Sequence, residues 1–156
     1  MARELSLLLV GATGAVGQAV LRQALAEKRV TRIVAPTRRP LEAGFAGNPR
    51  LLNPVIDFAR LPEEAAWWKV DAVVCTLGTT IKVAGSQAAF AAVDRDLPVS
   101  VARLARQADA TRHGLNSSLG ASARGSFYLR TKAEAEQGII DLEFASTTIV
   151  RPSLID

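Results

Sequence analysis

Three glycines at a regular spacing, Gly11-x-x-Gly14-x-x-Gly17, stand between a short apolar run and a helix-like segment. The run Leu5-Ser6-Leu7-Leu8-Leu9-Val10 is nearly continuous, as expected of a strand buried on both faces. After the glycines, Val16, Val20, Leu21 and Leu25 are spaced to share one helix face. A strand, a glycine turn and a helix in immediate succession make a phosphate cradle. Gly11 permits a tight turn, Gly14 lets the backbone approach a pyrophosphate, and Gly17 lets the helix pack against the strand. The helix start then offers its unpaired N–H groups and positive dipole end to the phosphates. The same glycines without a ligand would be a simple turn; their place after the first strand of an alternating chain favours the cradle.

The alternation continues. Arg32–Ala35 reads as a second strand ended by Pro36, 40–53 as a loop, Pro54–Ile56 as a third strand and Glu63–Trp68 as a short helix. Asp71–Thr76 reads as a fourth strand, Ser86–Gln107 as helical segments, Thr131–Ile140 as a helix and Thr147–Val150 as a last strand. This predicts an α/β fold: a Rossmann-type, doubly wound parallel sheet with helices on both faces, in a single domain over 1–156. One element is weak. His113-Gly114-Leu115-Asn116 lacks an apolar run, and Gly and Asn are poor strand formers, so a fifth strand there is expected to be compromised. The C-terminal part reads as short, with an incomplete pocket and bare apolar surface that predicts a homo-oligomer.

Composition excludes several classes. Of 156 residues, 49% are hydrophobic and 22% charged, values of a globular chain rather than a disordered one. No apolar stretch approaches the roughly 20 residues that span a bilayer, and no leader pattern is visible, so a cytoplasmic location without membrane contact is expected. A single cysteine, Cys75, forms no internal disulfide and suits a reducing compartment. One histidine and one cysteine are too few for a His/Cys metal site. The net charge of +4 comes from basic residues that are scattered apart from Arg38-Arg39, which favours an anionic cofactor over nucleic acid. Cys75 reads as a small core filler, and His113 as a helix-end residue near a C-terminal dipole. Trp67 and Trp68, adjacent on a helix, should point to different sides, with one packed in the core.

Cofactor choice is read just after the second strand. NAD binders place an acid about 20 residues beyond the glycines to accept from the ribose 2′-hydroxyl. Here the chain reads Thr37-Arg38-Arg39. Two guanidinium groups suit a 2′-phosphate, which Arg grips through paired hydrogen bonds, so NADP is expected over NAD. The alternative is a solvated basic turn. Asp57 could accept from an adenine amino group or merely cap the next turn.

Further motifs follow in order: Cys75-Thr76-Leu77-Gly78-Thr79-Thr80, Ala84-Gly85-Ser86, Val93-Asp94-Arg95-Asp96, Ser117-Ser118-Leu119-Gly120-Ala121, Tyr128-x-x-x-Lys132 and Arg151-Pro152-Ser153. With the glycine loop they make the chain resemble the atypical, extended-like short-chain dehydrogenase/reductases. It looks most like the branch of small bacterial NAD(P)-binding proteins related to the Tat-interacting protein of animals. The resemblance implies a pyrophosphate loop at Gly11, Thr13, Gly14, Ala15, Val16 and Gly17. It implies ribose selection at Arg38 and Arg39, adenine contact at Asp57 and Phe58, and a ribose-side segment at Thr76, Leu77 and Gly78. Pro152 and Ser153 would lie near the nicotinamide. Ser118, with Ser117 as second choice, Tyr128 and Lys132 would be catalytic, and Lys132 would also hold the nicotinamide ribose.

The chemistry of that set is direct. Hydride transfer to a carbonyl leaves an alkoxide that needs a proton, and a tyrosine hydroxyl can give one. A lysine four residues on shares the helix face, and its charge favours the phenolate. The alternative is an ordinary surface pair on an amphipathic helix. Two functions therefore stand. One is an NADP(H)-binding oxidoreductase acting on a small carbonyl or alcohol. The other is a non-catalytic NADP(H)-binding regulator that binds a partner protein.

Overall fold

The computed structural model describes residues 3–45 and 47–153, so the ends of the expected 1–156 domain and Ala46 lie outside the described residues. The first strand, β1 (Leu5–Val10), is central. Its side chains alternate between faces. Leu8 and Val10 join one apolar cluster, Leu7 and Leu9 another, so one strand seeds both halves of the core. Five more strands complete the sheet: β2 (Val30–Val34), β3 (Leu51–Leu52), β4 (Ala72–Cys75), β5 (Arg112–Asn116) and β6 (Ser146–Val150). All pairings are parallel, in the order β3-β2-β1-β4-β5-β6. Helix α1 (Ala15–Ala26) covers one face through Leu21 and Ala24. On the other face lie α4 (Leu97–Gln107), through Val101 and Ala105, and α5 (Phe127–Ile140), through Ile139. Two short helices, α2 (Ile81–Ala84) and α3 (Gln87–Ala91), follow β4, and a π-helical stretch, Ala92–Asp96, joins α3 to α4. This is the expected Rossmann-type α/β sheet.

Several local expectations need correction. The third strand is Leu51–Leu52 rather than 54–56, and Val55 makes only an isolated bridge to Thr37. Asn53 explains the shift. Its amide nitrogen donates to the Ala35 carbonyl (2.7 Å) and the Thr37 hydroxyl (2.8 Å), while its oxygen accepts from Leu41 N–H (2.9 Å). The side chain stitches the loop to the end of β2, and Pro54 has no N–H to extend a ladder. The segment 63–68 forms only a 3-10 turn at Ala66–Trp68. Trp67 and Trp68 do not diverge there; their ring centroids are 4.4 Å apart, and the buried Trp68 donates its indole N–H to the Pro62 carbonyl.

The compromised fifth strand is not seen. β5 is a full parallel strand, paired with β4 on one side and β6 on the other. Two ladders supply the backbone hydrogen bonds that the side chains do not encourage. His113 is accordingly no helix-end residue. It is the second residue of β5, at 2% exposure, with its ring 5.3 Å from that of Phe144. Among the described residues neither ring nitrogen has a hydrogen-bond partner. Burial therefore pushes the imidazole down to about 4 from its ordinary 6.5. Cys75 is the expected core filler, with burial pushing its thiol up to about 12. Among the described residues no helix is long and apolar enough to cross a membrane, and no His/Cys/Asp/Glu cluster could hold a metal.

His113 makes stability depend on pH with a definite sign. Its folded value lies below its unfolded one, so the unfolded chain takes the proton first as pH falls. The neutral ring's stability is complete above about pH 6.5 and drains away toward pH 4. At about 1.4 kcal/mol per pH unit, the loss approaches about 3 kcal/mol. Urea melts at pH 7.5 and 4.5 should show the parent losing more stability than His113→Leu. Equal losses in the two proteins would exclude the buried ring as the cause.

Candidate functional site

A cleft of about 520 Å³ opens at the carboxyl ends of β1 and β4. From β1 the sheet grows outward in both directions, and such a reversal of strand order leaves a crevice beyond the strand ends. The glycine loop forms one wall. Gly11 has φ +88°, and a Cβ on it would lie 2.5 Å from Thr76 Oγ1. That hydroxyl in turn lies 3.0 Å from the carbonyls of both Val10 and Gly11, joining the ends of β1 and β4. A Cβ on Gly17 would lie 1.8 Å from the Gly11 carbonyl oxygen, so only glycine lets α1 leave β1 at this distance. Gly14 differs. Its φ is −77°, and its nearest neighbour would be the Gly11 oxygen at 3.6 Å. A side chain there would meet the cleft rather than the protein.

Gly14 is also the N-cap of α1 and has no side chain to satisfy the helix start. The N–H groups of Ala15, Val16 and Gly17 belong to the turn that no helical carbonyl can reach. Thr13 and Gly14 line the cleft directly. A glycine-walled hollow facing uncapped N–H donors fits a diphosphate by shape and by charge.

At the β2 end, Thr37 and Arg38 line the cleft, opposite Asp57 and Phe58. Arg39 is exposed and is not part of the lining; its carbonyl accepts from the Thr37 hydroxyl at 2.6 Å, which fixes the turn. Asp57 caps the next turn, as one of its two readings expected, and stands at the cleft. Its carboxylate accepts from Ala59 N–H at 2.9 Å. The far wall contains Thr76, Leu77 and Gly78 after β4. It also contains residues to which the sequence assigned no site role: Val83 and Ala84 of α2, Ala89 of α3, and Val93 in the π stretch, Ala84 and Val93 having entered only as letters of motifs. Small apolar residues on short helices carry no chemical signature, and nothing in their spacing distinguishes a cleft wall from a core.

The residues expected to be catalytic lie beside the cleft rather than in its lining. Lys132 is buried, and its ammonium donates to Asp94 Oδ1 at 2.6 Å. A Cβ on Gly78 would come within 3.5 Å of the Asp94 oxygen and 3.8 Å of Lys132 Nζ, so the pair sits directly behind the cleft wall. The other Asp94 oxygen accepts from Thr79 N–H at 3.0 Å. Burial pushes the Asp94 carboxyl above its ordinary range, and the hydrogen bond and charge of Lys132 oppose this without cancelling it. Tyr128 lies one turn before Lys132 on α5. Its ring is 5.2 Å from that of Phe90, and Lys132 Nζ is 5.5 Å from its centroid.

Ser118 is less well fixed. Its hydroxyl reaches only the neighbouring Leu119 carbonyl at 3.5 Å, and among the described residues no hydrogen bond joins it to Tyr128 or Lys132. Ser117 is buried beside the Glu136 carboxylate without a hydrogen bond of regular geometry. Pro152 does not reach the cleft lining; its carbonyl accepts from Leu119 N–H at 2.9 Å and anchors the loop after β5. One turn beyond Lys132, Glu136 accepts two hydrogen bonds from Arg151 (2.8 and 2.6 Å).

A family described as NAD(P)H-binding matches residues 11–156. The chain belongs to this family. Among curated relatives, Protein HTATIP2 of Rattus norvegicus is 32% identical over 152 residues, covering 96% of this chain and 62% of the rat protein. Protein FMP52 of Lodderomyces elongisporus, named as mitochondrial, is 35% identical over 158 residues, covering 96% of this chain and 66% of that protein. The chain thus spans somewhat less than two thirds of these relatives' length. The solved structure of MoeE5 with UDP-glucose and NAD has the same fold, with a TM-score of 0.75 at 19% identity over 94% of this chain and 53% of MoeE5. With the ordered motifs, these relatives make the chain an atypical short-chain dehydrogenase/reductase of the Tat-interacting-protein-like branch, a binder of nicotinamide dinucleotide. One expectation is overturned. A plain cytoplasmic location does not hold, because similar fungal relatives are named as mitochondrial proteins.

The two inner glycines should respond differently to substitution. Gly17→Ala forces a methyl carbon onto the Gly11 carbonyl and should lower stability by about 3 kcal/mol or more, the upper end of overpacking effects. Gly14→Val should melt close to the parent. Thermal melts of both proteins test this, and a well-folded Gly17→Ala would refute the close α1–β1 contact.

Proposed function

We propose that this chain is an NADP(H)-dependent oxidoreductase that transfers hydride to or from a small carbonyl or alcohol, with 1–156 acting as one cofactor-binding domain. One observation carries the reading. The cleft runs from a cationic end at Arg38, past the diphosphate hollow at Gly14, to the wall at Gly78 behind which Lys132 is buried. A dinucleotide spread along this path would meet a positive group at its adenosine ribose and another at its nicotinamide ribose.

In this reading Thr13, Gly14, Ala15 and Val16 hold the diphosphate through backbone N–H groups. Arg38 meets the 2′-phosphate, with Arg39 in a lesser role because it stands outside the lining. Asp57 and Phe58 border the adenine, and Thr76, Leu77 and Gly78 lie along the ribose. The bound nicotinamide supplies or accepts the hydride. The protein's own part is proton management. The Tyr128 hydroxyl gives its proton to the substrate oxygen as the carbonyl is reduced, Lys132 stabilises the phenolate that remains, and Ser118 orients that oxygen by hydrogen bonding. A second reading, the non-catalytic regulator, draws support from the engagement of Lys132 with Asp94 and from the lack of a hydrogen bond between Ser118 and Tyr128.

Fluorescence titration with NADPH and NADH tests the cofactor assignment. A charge-assisted hydrogen bond contributes roughly 1.5–3 kcal/mol. The parent should therefore favour NADPH by about 10- to 150-fold. Arg38→Ala should lose most of that preference, Arg39→Ala little, and folded Gly14→Val should bind neither dinucleotide. Equal parental affinities would remove the NADP assignment.

Turnover with a panel of aldehydes, ketones and quinones separates enzyme from regulator. Tyr128→Phe removes one oxygen and should keep NADPH affinity while slowing turnover about 10²–10⁴-fold. An unchanged rate in Tyr128→Phe would exclude it as proton donor, and NADPH binding without turnover of any carbonyl would support the regulator.

A further inference from the structure

The Asp94–Lys132 pair is costly to bury, and its surroundings suggest why it is there. The Asp94 side chain is 0% exposed and that of Lys132 8%. Replacing such a pair by apolar groups is often neutral or stabilising, so a buried ion pair is weak evidence for a purely structural role. Asp94 also lies in the π-helical stretch Ala92–Asp96, an irregularity often found at functional sites. Its two oxygens do different work. One holds the Lys132 ammonium, and the other holds Thr79 N–H in the segment just after Gly78. One carboxylate thus ties together α5, the π stretch and the cleft wall.

The neighbouring ionisable groups leave this coupling undisturbed. Arg95 and Asp96, next along the chain, pair with each other, and Arg95 also reaches Glu134 at the surface. Glu136 on α5 is engaged by Arg151. On β4, Cys75 holds its proton to about pH 12. The Lys132 ammonium therefore feels one close carboxylate, Asp94, and lies 5.5 Å from the Tyr128 ring.

We propose that Asp94 is a positioning residue that holds Lys132 behind Gly78 and offsets its charge, keeping Tyr128 in its proton-donating form. This rests on the reading of Tyr128 as proton donor. An unopposed ammonium beside the phenol would draw off its proton, leaving a base suited to alcohol oxidation. An ammonium already paired with a carboxylate leaves the phenol protonated, as carbonyl reduction requires. Asp94 thus sets the protein toward reduction of a carbonyl substrate. The Lys132 ammonium has three N–H donors and commits one to Asp94, so two remain for a ribose hydroxyl and the phenolate oxygen.

The test needs neither substrate nor cofactor. Tyr128 is the chain's single tyrosine, so phenolate absorbance during a pH titration reports this residue alone. Asp94→Asn keeps the shape of the carboxylate and removes its charge. The Tyr128 midpoint should fall by roughly 1 pH unit, the lower end of the effect of a nearby opposite charge. Asp94→Asn combined with Lys132→Met should return the midpoint to the parent's value or above, because the released charge is that of Lys132. Circular dichroism along the same titration verifies folding, and Asp94→Ser serves in place of Asp94→Asn if the amide does not fold. Coincident midpoints for the parent and the Asp94 variant would overturn the proposal. So would an equally low midpoint in the double variant, which would show Asp94 acting on Tyr128 without Lys132. The catalytic reading fails separately, through the turnover of Tyr128→Phe. An intact rate there would leave the titration interpretable.

Discussion

The structure hangs on a contact between two stretches of bare backbone. The Gly11 carbonyl lies so close to Gly17 that a single carbon would overlap it. That approach sets where α1 leaves β1, and so which way its first N–H groups point. It also brings the β1 end within reach of Thr76, whose hydroxyl joins it to β4. Gly11, Gly14 and Gly78 bring bare main chain to parts of this crevice, among lining residues that carry side chains, such as Thr13, Thr76 and Leu77. A diphosphate is large and doubly charged. A glycine at position 14 of that wall would leave it room, and the positive helix end would compensate its charge. Gly11 and Gly17 are dictated by close backbone contacts, whereas Gly14 borders the cleft, although all three belong to one sequence pattern.

The second organising element is the inner face of α5. Periodicity places charged residues of an amphipathic helix outward, yet Thr131, Lys132, Ala135, Glu136 and Ile139 are the buried positions of this helix. Lys132 and Glu136 stand one turn apart with opposite charges, but each finds its partner elsewhere, in Asp94 and in Arg151. The Glu136 carboxyl is pushed up by burial, yet the hydrogen bonds and charge of Arg151 prevail and hold it below its ordinary range. For Asp94, burial prevails over Lys132. The difference follows from exposure. Arg151 remains half exposed and hydrated, whereas Asp94 and Lys132 have both left water. The energetic burden of α5 thus falls on the pair beside the cleft.

Residue type alone misled where a neighbour in space supplied what the local sequence lacked. Gly114 and Asn116 are poor strand formers, but β4 and β6 offer ladders on both sides, and the pairing outweighs propensity. Asn53, an ordinary loop residue by type, anchors β2 to the turn of Leu41 and moves the third strand to Leu51–Leu52. Arg38 and Arg39 are indistinguishable as letters, yet one lines the cleft and the other does not. The motif Val93-Asp94-Arg95-Asp96 holds two acids, of which Asp94 is buried and Asp96 pairs at the surface.

The sequence by itself determined what local chemistry can encode. The glycine spacing between an apolar run and a helix pointed to the cradle, because Gly11 and Gly17 hold backbone positions that only glycine tolerates. The alternation of strands and helices dictated a parallel sheet, because apolar runs without polar alternation need cover on both faces. The missing acid after β2, with Arg38 and Arg39 in its place, raised the expectation of NADP over NAD. Tertiary structure alone decided which charged groups meet. Asp94 and Lys132 are separated by 38 positions and share no local pattern, and their hydrogen bond exists because α5 and the π stretch pack on the same side of β4. Desolvation, which makes that pair consequential, is a property of the whole packed layer and is written in no segment of the chain.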